Sequence, residues 1–250
     1  MKKLVALVFV FAQVLVSCSS SDDSASVGTA YLIKRAVANG ITFEYSYSNG
    51  TNKMVSFTAS GQLQTYEYTG NLITKTSRYL YDPSVVDYET TYEYDENQKL
   101  IAETFIDYHS MTTSRKVFTY NADDTVSYQG YSGNIGNPTA NGLTGIIYLN
   151  SNGEPYKVEE FSNGNLLFKK EFTYDDKNSV FKNVAGFNKL LTMYDTGKTN
   201  NLLTSRTYDG NGVLVMGYTN SYVYNSGNFP DELTTTQNTG SSTTTNYFYW

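Results

Sequence analysis

Few residues in this chain are suited to covalent chemistry. Histidine occurs once, at His109 in the stretch IDYHSMTTS, which reads as a turn, and cysteine occurs once, at Cys18. That pair of counts leaves no zinc site, Ser-His-Asp triad or thiol protease in its usual form. Two carboxylates at the right separation would make a glycosidase. The acids here, however, fall mainly in turns (Asp95, Glu96, Asp123, Asp124, Asp175, Asp176) or on strand positions that face solvent. The turn DGNG at 209–212 spaces oxygens as a calcium loop would, but hairpin turns need the same residues. No glycine loop precedes a helix to hold phosphate, and no cofactor is expected. The residues placed to touch a ligand are Tyr128 and Tyr131, which flank Gly130 and are able to stack on a sugar ring or a partner side chain.

Cys18 has a different chemistry available. Lys2 and Lys3 precede an apolar run from Leu4 to Val16, broken only by Gln13. At about 13 residues the run is short of the roughly 20 a spanning helix needs. It ends in Leu15-Val16-Ser17-Cys18, which resembles a bacterial lipobox. The resemblance implies cleavage before Cys18, diacylglycerol on its thiol and acylation of the new amine, an anchor of effectively permanent hold. Ser19-Ser20-Ser21-Asp22-Asp23-Ser24 resembles the serine-acidic export signal of surface lipoproteins in the Bacteroidetes, or serves as a solvated tether. The organisation expected is a signal peptide over 1–17, a lipidated tether over 18–28 and one domain over 29–250. The location is the outer membrane, at the cell surface or on the periplasmic face.

Loss of residues 1–17 removes two of the 18 basic side chains and none of the 24 acidic ones, so the processed chain carries a net charge of −8. That excludes nucleic acid and a basic surface for anionic lipid as partners. With Cys18 lipidated no disulfide is available, and the fold rests on packing.

A unit of about 20–26 residues organises the rest: aromatic-x-aromatic, a turn of Asp, Asn or Gly, then an apolar-rich strand. It recurs at Tyr45/Tyr47, Tyr66/Tyr68, Tyr92/Tyr94, Phe118/Tyr120, Phe172/Tyr174 and Tyr222/Tyr224. Residues at i and i+2 share a strand face, so the aromatic pairs line one side and Glu67, Glu93, Thr119, Thr173 and Val223, mostly polar, the other. The expectation is all-β: an extended antiparallel meander of 14 to 18 strands, a curved sheet of repeated hairpins with one short helix. The helix is placed over 181–194, where Phe181, Val184, Phe187, Leu190, Leu191 and Tyr194 follow helical spacing. The Gly/Asn-rich stretch 129–145 reads as a long loop and the place for recognition groups.

Tyr94-Asp95, Tyr174-Asp175 and Tyr208-Asp209-Gly210-Asn211-Gly212 give the units a resemblance to the tyrosine-aspartate (YD) repeats of the RHS family, and to YD-repeat-like lipoproteins of Flavobacterium. The resemblance covers most of 41–249 and implies fold class and compartment. An outer-membrane barrel is not expected, because tyrosine at mid-strand throughout does not make a lipid-facing band. The function read from these features is a non-catalytic lipoprotein, held to the membrane at Cys18, whose repetitive β surface binds a glycan or an envelope protein. The alternative is a glycan-acting hydrolase using a carboxylate pair.

Overall fold

The computed structural model describes residues 31–250. Sixteen strands follow one another: β1 (Ile33–Ala38), β2 (Ile41–Tyr47), β3 (Met54–Ala59), β4 (Gln62–Thr69) and β5 (Leu72–Tyr79). Next come β6 (Tyr88–Tyr94), β7 (Leu100–Asp107), β8 (Thr112–Tyr120), β9 (Thr125–Asn134) and β10 (Asn137–Leu149). The last six are β11 (Pro155–Ser162), β12 (Asn165–Tyr174), β13 (Leu202–Asp209), β14 (Leu214–Tyr224), β15 (Pro230–Gln237) and β16 (Ser242–Tyr249). Each strand pairs antiparallel with its sequence neighbours, and β1 pairs with β16, so the sheet closes into a barrel. The meander agrees with the sequence reading; the open curved sheet does not. Closure joins Ile33 to Tyr249 and Ala38 to Thr245, leaving no unpaired edge strand.

The turns after even-numbered strands all lie at one end, those after odd-numbered strands at the other. Several turns are each drawn together by one side chain. Asp95 Oδ1 accepts the N–H groups of Asn97 and Lys99, Asp209 Oδ1 those of Asn211 and Val213 at the opposite end, and Asn150 and Asn225 repeat the pattern. The recurring aspartate or asparagine after an aromatic strand is therefore a turn-closing acceptor, which the loop backbone would otherwise lack.

The aromatic pairs face inward and make two tiers around the first end, packed in the buried clusters with Met54, Ile73, Leu100, Val126, Ile147 and Leu202. The second tyrosine of a pair repeatedly sits at a register shift, as at Tyr47, Tyr68, Tyr94, Tyr174 and Tyr224. Such bulges bend a strand and increase its twist, which is what closing a sheet requires. Beside them the ladders between successive hairpins stop early. The last pairs are Lys75↔Thr91, Lys157↔Glu171, Thr204↔Thr219 and Glu232↔Asn246. Just past each, a tyrosine hydroxyl takes over: Tyr94 donates to the carbonyl of Ile73, Tyr174 to Pro155 and Tyr222 to Leu202, all at 2.8 Å, and Tyr249 to Pro230 at 2.7 Å.

Sixteen strands enclose more space than aromatic side chains alone fill. The segment 175–201 between β12 and β13 occupies the first end, and Val184, Phe187, Leu190 and Leu191 bury into the core from it. Here the expected helix is corrected. The segment has only two short 3-10 turns, Phe187–Lys189 and Tyr194–Thr196. Gly186 adopts φ 73°, and a Cβ there would meet the Asn71 carbonyl oxygen at 2.7 Å, so the chain turns left-handed against the wall instead of continuing a helix. Side-chain amides fasten the segment: Asn52 to the Asn183 carbonyl, Asn178 to Gly227 and Asn200 to Lys177. The apolar spacing reported burial, not helix.

The expected loop 129–145 is corrected as well. It is the upper part of β9 and β10, turning at 135–136, with a register shift between Ala140 and Thr144. Its glycines are structural: the Tyr128 ring lies over Gly145, where a Cβ would stand 2.2 Å from it. Small residues leave room for an aromatic neighbour across the pair.

The outer wall is polar at mid-height. Lys75 and Glu67 are directly opposed and 2.6 Å apart, Lys157 lies 3.0 Å from Glu159, and Lys169 2.8 Å from Glu171. Arg115 grips Glu93 with both nitrogens, at 2.5 and 3.1 Å, and Thr104 with one. β15 and β16 present Thr234, Thr236, Thr244 and Ser242 to the outside.

If the tyrosine hydroxyls close the seams, Tyr94→Phe costs about 1–2 kcal/mol by leaving the Ile73 carbonyl unpaired. Tyr94→Ala and Tyr92→Ala each cost about 3 kcal/mol or more. Glu93→Ala on the outer wall stays within about 1 kcal/mol. Urea unfolding measures all four, and equal costs for Tyr94→Phe and Glu93→Ala would contradict the seam role.

Candidate functional site

The second end of the barrel is an open mouth. The parity that places Tyr66 and Tyr92 in the core carries upward along the same strands, so Gln62 and Gln64 on β4 and Tyr88 and Thr90 on β6 face inward above them. Thr76 and Arg78 on β5 and Phe105 on β7 join them by register. Together they line a cavity of about 440 Å³. Arg78 Nη2 donates to Gln62 Oε1 at 2.6 Å, and Gln64 Nε2 to the Tyr66 hydroxyl at 2.9 Å. Tyr88 and Phe105 stack with centroids 5.7 Å apart and planes 18° apart. His109, the lone histidine, meets Tyr88 edge-on and places Nε2 2.6 Å from Asp87 Oδ1, while Asp87 Oδ2 accepts the Leu80 N–H. His109 thus fastens the rim loop 80–87 to the neighbouring turn.

Beneath the mouth are two inward carboxylates. Glu103 accepts a hydrogen bond from Thr192 of the inserted segment; burial pushes its carboxyl up, against Thr192 and the nearby Lys116. Glu160 accepts from the Tyr128 hydroxyl and lies 3.5 Å from Lys116 Nζ. Burial first, and Glu160 second, hold the Tyr128 hydroxyl protonated far above the usual phenol range. Both acids are therefore engaged by hydroxyls and a shared lysine, and neither lines the 440 Å³ cavity.

The residues singled out from sequence are separated by the wall. Tyr128 is 4% exposed and inside. Tyr131 pairs with Arg115, and that position faces outward. The two do not form one surface. Cys18 lies outside the described residues. In the DGNG turn Asp209 Oδ1 is taken by backbone N–H groups, and among the described residues no cluster of three metal-ligating side chains occurs. The mouth residues Gln64, Arg78, Tyr88 and Phe105 were not picked out from sequence. For Gln64 and Tyr88 a signal was available, as the positions two and four before an aromatic pair share its face, whereas Arg78 and Phe105 are placed only by cross-strand register.

The closed end holds an unusual ion. Glu154, 1% exposed, accepts the N–H groups of Lys198, Thr199 and Asn200 through Oε1. Lys198 is 2% exposed and its Nζ has no hydrogen-bond partner among the described residues. Burial pulls its ammonium down to about 8, against the raising effect of Glu154.

No family model matches the chain, and no curated protein matches it in sequence. Among solved structures, a porin-like protein from Bacteroides vulgatus aligns at 10% identity and TM-score 0.48, over 87% of this chain and 98% of that one. A porin-like protein from Bacteroides uniformis aligns at 12% identity and TM-score 0.49, over 88% and 98%. The resemblance to YD repeats of the RHS family is corrected here. The sheet closes on itself through β1 and β16, and the Tyr-Asp steps are explained by turn closure. At these identities and scores, environment and function have to be read from the side chains.

The lysine gives a pH prediction. Its folded pKa is below the ordinary 10.5, so between pH 8 and 10 the unfolded chain holds a proton that the folded chain has released, and stability rises with pH. The rise is on the order of 2 kcal/mol. Toward pH 10 it is offset, because the many tyrosines that burial raises, such as Tyr45 at about 12, ionise only on unfolding. Urea unfolding from pH 7.5 to 9 should show the wild type gaining stability relative to Lys198→Met; parallel profiles for the two would refute the buried ammonium.

Proposed function

We propose that this protein is a non-catalytic outer-membrane lipoprotein whose barrel stands in water and binds a small polar ligand in its mouth. The observation that carries the reading is the inversion of the wall: aromatic inside, charged and hydroxylated outside. A membrane-spanning barrel needs an apolar outer band about 25 Å tall, and each lysine or arginine at its middle costs about 2–4 kcal/mol. Here Lys75, Arg115, Lys157 and Lys169 stand on the outer wall at mid-strand. Strand length agrees, since β1–β7 have only six to eight residues against the roughly 9–11 a tilted spanning strand requires.

Membrane attachment is then the work of Cys18. The described chain enters at the closed end, where Tyr31 stacks on Phe229 at 4.9 Å and the Trp250 N–H donates to the Leu32 carbonyl. An anchor thirteen residues before Tyr31 would hold that end toward the lipid and turn the mouth away from it. The serine-acidic stretch after Cys18 favours the cell surface over the periplasmic face.

Two experiments test this. Full-length Cys18→Ala should lose labelling by a palmitate analogue and move to the soluble fraction with its β-sheet circular dichroism intact; a mutant extracted only by detergent would establish a spanning barrel instead. For the mouth, Thr90→Trp fills the cavity from within, whereas Thr91→Trp stands on the outer wall. Ligands found by screening polar small molecules should be lost by the first and kept by the second. Ligands that survive Thr90→Trp place the binding site elsewhere.

A further inference from the structure

We infer that the mouth recognises a carboxylate-bearing saccharide, with Arg78 as the residue that selects the acid. This rests on the cup reading above and names its ligand.

The processed chain is strongly acidic, and most of its lysines and arginines that face a carboxylate do so on the outer wall. Arg78 is an exception: it points into the barrel, and no carboxylate lies within 4 Å of it among the described residues. What holds it is the neutral Gln62 amide oxygen at 2.6 Å. That contact orients the guanidinium without neutralising it and leaves most of its five N–H donors for something else. Planar, forked donors match a carboxylate two-to-two. A fixed, uncompensated cation in a cavity wall is a standing attraction for an anion.

The rest of the wall sets the shape of that anion's carrier. Gln62, Gln64, Thr76 and Thr90 supply both donors and acceptors, which suits a ligand with several hydroxyls more than a bare fatty or aromatic acid. Phe105 adds a ring 38% exposed to the lumen, backed by Tyr88, on which the C–H face of a sugar would lie. A volume of about 440 Å³ falls in the range of small-molecule sites, roughly 300–1,000 Å³. The absence of a carboxylate from this wall removes the group that would repel an acidic sugar.

Calorimetry on the detergent-solubilised full-length protein tests the inference with two probes, trigalacturonate and its neutral counterpart galactotriose. Trigalacturonate should bind at least tenfold more tightly, and raising salt should narrow the gap. Arg78→Gln should weaken the acidic probe at least tenfold and the neutral one little, Phe105→Ala should weaken both, and Arg115→Gln on the outer wall should change neither. Thermal unfolding of each variant separates lost binding from lost fold; if Arg78→Gln unfolds, Arg78→Lys, which keeps the charge without the fork, should still weaken the acidic probe. Equal affinity for the two probes, or an unchanged Kd in folded Arg78→Gln, would overturn the inference. Should neither probe bind while another ligand is lost by Thr90→Trp, the saccharide assignment fails and the cup stands.

Discussion

The barrel depends on a single recurrent contact, the tyrosine hydroxyl that bonds to a carbonyl where a backbone ladder has stopped. A sheet cannot close around a wide lumen with every ladder complete, because closure needs bends, and bends interrupt pairing. Each interruption exposes a carbonyl inside the wall, at a place water reaches poorly. Leucine or phenylalanine at position 94, 174, 222 or 249 would supply the same packing and leave that oxygen unpaired. Tyrosine supplies the ring to the core and the hydroxyl to the seam. Four of the 24 tyrosines, Tyr94, Tyr174, Tyr222 and Tyr249, meet this double demand.

How much of this was legible in the sequence differs by feature. Alternation at Tyr92-Glu93-Tyr94 and its repeats fixed strand faces, because side-chain direction in a strand is local. Closure was not legible, since it depends on the pairing of Ile33 with Tyr249, which no local pattern encodes. The stripe from Phe181 to Tyr194 correctly marked a buried segment, but threefold spacing also arises in an irregular chain pressed against a curved wall, with Gly186 turning it. The stretch 129–145 misled in the opposite direction. Glycine and asparagine usually signal a loop, yet Gly130 and Gly145 are strand positions emptied to make room for Leu143 and the Tyr128 ring. The mouth went unread because glutamine, threonine and arginine on a strand look like a solvated face until the strand is known to curl around them.

The same wall also shows why barrel shape is a poor guide to environment. A closed sixteen-strand barrel and membrane insertion are separable, as the strand scaffold is indifferent to which face is apolar. In this chain the ion pairs across the outer wall and the aromatic tiers within put the apolar side on the lumen. Lipid would have to desolvate the pairs formed by Arg115 with Glu93 and Lys75 with Glu67, and nothing in that medium replaces the lost hydration.

Joining the first strand to the last also sets the order of events during folding. Synthesis delivers β1 first, yet β1 lacks one of its two partners until β16 has followed, more than 200 residues later. The segment 175–201 is in a similar position, because Asn183 is held by Asn52 and Asn178 by Gly227, on opposite sides of it in sequence. Hairpins form as they emerge, but the aromatic tiers stay wet until the final strand arrives. For that interval the chain is a long ribbon with one greasy face and an open edge.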